Sequence, residues 1–87
     1  MHESRLVGQL LDEAERRAQG PVDEISSLRF EIGALAAVSR DGLVHGATDA
    51  AVARWGFAPG VEVRHTDDPL DAAAQGVKLV SITLGTA

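Results

Sequence analysis

The sequence predicts an α+β two-layer sandwich. Two helices should pack on one face of a three-stranded sheet, in the order helix–strand–helix–strand–strand. Three observations predict this. Apolar residues recur at helical spacing over residues 4–19 and, more weakly, over 40–54. Three shorter segments, 25–32, 61–66 and 77–84, carry strand-like patterns. Glycine and proline separate the segments at Gly20-Pro21, Gly33, Gly56 and Pro59-Gly60.

Residues Ser4 to Gln19 read as the first helix. Leu6, Leu10, Ala14 and Ala18 fall four apart, and Val7 and Leu11 broaden the stripe. Glu3 and Asp12 lie toward its N-terminal side and Arg16 and Arg17 toward its C-terminal side, as the helix dipole favours. Gly20 is expected to take a left-handed cap, and Pro21 cannot continue the helix. The run from Asp12 to Arg17 reads as a solvated face. From Ile25 to Ile32 the period changes to two. Leu28, Phe30 and Ile32 alternate with Arg29 and Glu31, which marks a half-buried strand.

Ser39 is placed to cap a second helix over Arg40 to Arg54, with Asp41 in its first turn. Its stripe of Leu43, Ala47, Ala50, Ala51 and Arg54 is weak, and Gly42 and Gly46 lower its intrinsic stability. Trp55-Gly56 closes it, and Trp55 and Phe57 should fold back onto the core. Val61 to Thr66 is the second strand, with Val63 and His65 on one face and Glu62 and Arg64 on the other. An acidic, alanine-rich connector, Asp67 to Gly76, leads to the third strand, Val77 to Leu84. That strand is apolar on both faces, which predicts a central position. The strand–helix–strand unit should cross over right-handed.

Composition narrows the function classes. The 87 residues fit one domain, 1–87. A net charge of −5 with no basic cluster argues against nucleic acid. The absence of cysteine excludes disulfides, thiolate catalysis and a cysteine-based zinc site. No apolar run is long enough for a membrane span, and the start lacks a signal-peptide layout, so a soluble cytoplasmic protein is expected. No nucleophile–base signature, phosphate-binding glycine loop or paired-carboxylate motif is present, so no enzymatic role is expected.

The chemistry-bearing stretch is Met1-His2-Glu3. A histidine in second position offers a metal three nitrogens: the Met1 α-amine, the His2 backbone amide and the His2 imidazole Nδ1. Amine and amide close a five-membered chelate ring, and amide and imidazole a six-membered one. Both rings fit a square plane, the geometry that suits Ni(II) or Cu(II). A fourth position remains for the Glu3 amide, a side chain or a partner. The amine titrates near neutrality and the imidazole near 6.5, so metal binding should depend on pH.

The remaining candidates are weaker. His45 on the second helix reads as an ordinary surface or hydrogen-bonded residue. His65 shares a face with Val63, which predicts a half-buried structural role. Asp67, Asp68 and Asp71 could form a weak hard-cation site, but the preferred reading is a solvated loop that blunts the sheet edge.

Four stretches then occur in one order at sensible spacing. They are Met1-His2-Glu3, the helix ending at Gly20, the strand Arg29-Phe30-Glu31-Ile32-Gly33-Ala34-Leu35 and the terminal Val77-Lys78-Leu79-Val80-Ser81-Ile82-Thr83-Leu84. Together they resemble the HypA/HybF family of nickel-incorporation proteins for [NiFe]-hydrogenase maturation, over nearly the whole chain. The resemblance implies a nickel metallochaperone with His2 as the essential Ni(II) ligand, the Met1 amine beside it and Glu3 in support. It also implies two partners, a maturation GTPase and the hydrogenase large subunit. Family members carry a zinc module with two Cys-x-x-Cys pairs between the second and third of these strands. Here that interval is the cysteine-free connector around Thr66 to Ala72, so no zinc is expected. Family members often have an acidic residue where this chain has Ser39; Asp41 lies close by in sequence. The alternative is a metal-free module that keeps the fold and binds a maturation partner through its sheet or first helix.

Overall fold

The computed structural model describes residues 2–70 and 74–85, with only the backbone of 2–4. It contains helix α1 (His2–Ala18), a short 3-10 turn (Val22–Glu24), strand β1 (Ile25–Ile32), helix α2 (Arg40–Trp55), and strands β2 (Gly60–His65) and β3 (Val77–Leu84). The α+β class and the element order are those expected from the sequence.

α1 buries Val7, Leu10, Leu11 and Ala14, with Leu6 and Ala18 packed beside them. The helix stops at Ala18, and the left-handed step falls on Gln19 (φ 53°) rather than on Gly20. The expected glycine cap is therefore displaced by one residue. α2 begins as its sequence predicts. The Ser39 side chain accepts a hydrogen bond from the Gly42 backbone N–H at 2.9 Å, satisfying one orphan donor of the first turn. It ends on Gly56, left-handed at φ 84°, whose N–H donates to the Val52 carbonyl. Trp55 joins the core margin and stacks on Phe57, with ring centroids 6.0 Å apart.

The sheet order is β2-β1-β3. β1 and β2 run parallel, as a helical crossover between them requires, and β1 and β3 run antiparallel. β1 is therefore the central strand. Leu28, Phe30 and Ile32 point under the helices and are fully buried, while Arg29 is exposed on the other face. α2 lies over β2 and α1 over β3, so both helices cover the same face. The opposite face is open and carries the ion pairs Arg29–Glu62 (3.1 Å) and Lys78–Glu31 (3.4 Å).

The expected central position of β3 is corrected: β3 is an edge strand. Two-sided apolarity marks a central strand only where helices cover both faces. In β3 the apparent two-sidedness has a different cause. Pairing passes from Phe30↔Leu79 to Arg29↔Ser81, leaving Val80 as an extra residue in a bulge. The bulge shifts the phase of the strand by one. Val77, Leu79 and Ile82 consequently oppose Ile32, Phe30 and Leu28; Leu84 comes opposite Ile25 past a second register shift at Ser26, and Val80 and Leu84 are both exposed.

Candidate functional site at the start of helix α1

The helices run side by side in the same direction. Near their starts Val7 lies against Gly46, where an added Cβ would sit 3.5 Å from the valine Cγ2. Near their ends the Trp55 indole Nε1 donates to Glu15 at 2.8 Å. Between these, Arg54 donates to the Gly8 carbonyl at 3.2 Å and pairs with Asp12 and Glu15. Asp12 and Glu15 are thus interhelical partners. Only part of the stretch expected to be solvated is so: Glu13 bonds within its own helix to Arg16 and Arg17. Those hydrogen bonds, Arg16 first and Arg17 second, hold the Glu13 carboxyl below the ordinary glutamate range.

Five residues before Val7 and Gly46 stand His2 and Asp41. With a common helical rise, the first turns of α1 and α2 are level with one another. The same end of the domain carries the last residue of β2, because Ile32 pairs with His65, and the first of β3, because Ile32 also pairs with Val77. The fold therefore brings His2, Glu3, Asp41, His65, Asp67 and Asp68 to one end.

Met1 lies outside the described residues, as does Asp71, and His2 and Glu3 are described by their backbone, which is helical. The first backbone N–H groups of a helix have no intrahelical acceptor. Deprotonating the His2 or Glu3 amide would break no helical hydrogen bond. The positive end of the helix dipole opposes a cation here, and Asp41 lies in the first turn of the neighbouring α2.

The other two histidines sit on different elements, His45 on α2 and His65 at the end of β2. His45 is exposed on the side of α2 opposite Leu43 and Ala47. His65 is exposed as well, not half-buried as expected, because β2 ends there and the helices do not cover its last residue. Asp68 caps its own loop, accepting from the Leu70 N–H at 2.9 Å. Among the described residues no group of three or more His, Cys, Asp or Glu could hold a metal. No described helix is long and apolar enough to cross a membrane.

Compared with family models, curated proteins and solved structures, the chain matches none. The sequence reasoning missed the bonding role of Arg54. Its helical spacing from Ala47 and Ala51 was the signal, since that spacing carries its guanidinium toward the neighbouring helix.

Proposed function

We propose that this chain is a nickel metallochaperone of the HypA/HybF type. It binds Ni(II) through the Met1 amine, the His2 amide and the His2 imidazole, with Glu3 in support, and passes the ion to a [NiFe]-hydrogenase large subunit with a maturation GTPase. The reading rests on the Met1-His2-Glu3 motif. The observation that supports it best is that α1 begins at His2. The motif is thereby attached to a helix anchored in the core by Val7, Leu10 and Leu11, and its amides belong to the turn that has free N–H groups. The chelate requires the Met1 α-amine to be free.

Calorimetric titration with Ni(II) at pH 7 tests this on four untagged proteins: wild type, His2→Ala, His45→Ala and His65→Ala. Wild type and the last two should bind alike, and His2→Ala should lose specific binding while keeping its far-ultraviolet circular dichroism. Equal affinity of His2→Ala and wild type would refute the chelate. No binding by any of the four at micromolar concentration would leave the metal-free interaction module as the better reading.

A further inference from the structure

The sheet has two edges, and they differ. On β3 the Val80 bulge disrupts the ladder, and Arg17 donates from its guanidinium to the Val80 carbonyl at 3.0 Å. A bulge and a capped carbonyl are both devices that keep a strand from pairing further. β2 has neither. The Thr66 N–H donates to the Ile32 carbonyl at 3.0 Å, and Ile32 is in register with His65. In a parallel ladder those two facts turn the N–H and C=O of His65 away from β1, and by period two those of Val63 and Val61 as well. Among the described residues no backbone group bonds to them.

The side chains of β2 are self-complementary. A second β2 laid antiparallel along this edge, with its twofold axis at Val63, would place Glu62 opposite Arg64 of the other copy and Arg64 opposite its Glu62. Val63 would face Val63, and Val61 would face His65. The outward groups of Val61, Val63 and His65 would then form the hydrogen-bonded pairs. Glu62 and Arg64 would occupy the non-bonded pairs, where side chains approach more closely and opposite charges favour pairing. Arg64 has no ion-pair partner among the described residues. Val52, on the helix that packs against β2, is an exposed apolar residue.

We infer that two copies of this chain pair through their β2 edges into a twofold dimer with one continuous six-stranded sheet. The contact is isologous, so a closed dimer and not a filament results.

The test is sedimentation velocity on the full untagged chain. Wild type should sediment at twice the 9.1 kDa chain mass. Arg64→Glu and Glu62→Arg each put like charges across the twofold at two places, which should weaken self-association by at least about tenfold. Mixed together, the two variants restore both opposite-charge pairs, so the mixture should recover the dimer that neither forms alone. Circular dichroism checks that both variants stay folded; the two positions are exposed. A monomeric wild type, single variants that dimerise like wild type, or a mixture that stays monomeric would each overturn the inference.

Discussion

Phe30 is the largest fully buried side chain, on the central strand with α1 and α2 above it. Phe30→Ala removes a whole ring from a fully buried site. Such truncations cost about 3–5 kcal/mol, transfer and cavity terms together. A domain of this size holds roughly 0.05–0.15 kcal/mol per residue, or about 4–13 kcal/mol in total. The substitution should therefore remove between a quarter and all of the stability. At about 4–8 °C per kcal/mol the melting temperature should fall by roughly 12–40 °C. Arg29→Ala, one residue earlier, is the control. Its side chain is 57% exposed and its ion pair with Glu62 lies on the open face. Loss of such a pair costs about 0–1 kcal/mol. Urea melts of wild type and both variants, read by circular dichroism, give the comparison. Equal losses at Arg29 and Phe30 would refute the assignment of the two faces of β1 and with it the one-sided helix layer.

Ser39→Ala should cost about 0.5–2 kcal/mol in the same urea melts, because it orphans the Gly42 N–H at the start of α2. Glu13, whose carboxyl is held below the ordinary range by Arg16 and Arg17, contributes stability above its unfolded pKa near 4.3 and loses it as pH falls through its lower folded value. Melting of Glu13→Gln should accordingly show a shallower decline between about pH 5 and 3 than wild type. A chelator should leave the melting temperature of metal-free protein unchanged; a large drop would reveal a structural metal and refute the view that α1, α2 and the sheet suffice for the fold.

Much of the fold was legible because it depends on neighbours in sequence. The spacing of Val7, Leu10, Leu11 and Ala14 set the buried side of α1. The alternation of Leu28, Phe30 and Ile32 set that of β1, and Ser39 and Gly56 marked the ends of α2. The proposed nickel chelate is equally local: its donors lie within Met1 and His2, and the fold adds only the helix that begins there.

Tertiary structure decided what depends on distant partners. Which strand lies at the centre follows from pairing across up to 59 residues, as between Ile25 and Leu84, and no local period encodes it. The Val80 bulge shifts β3 by one residue, so the sequence shows a two-sided apolar strand where the folded strand has one apolar face. The partners of Arg54, from Gly8 to Glu15, and the difference between a capped β3 edge and an open β2 edge exist only once the helices and strands are assembled. Hydrogen bonds and ion pairs are satisfied in space, and a chain read in order shows the donors and acceptors without showing which of them meet.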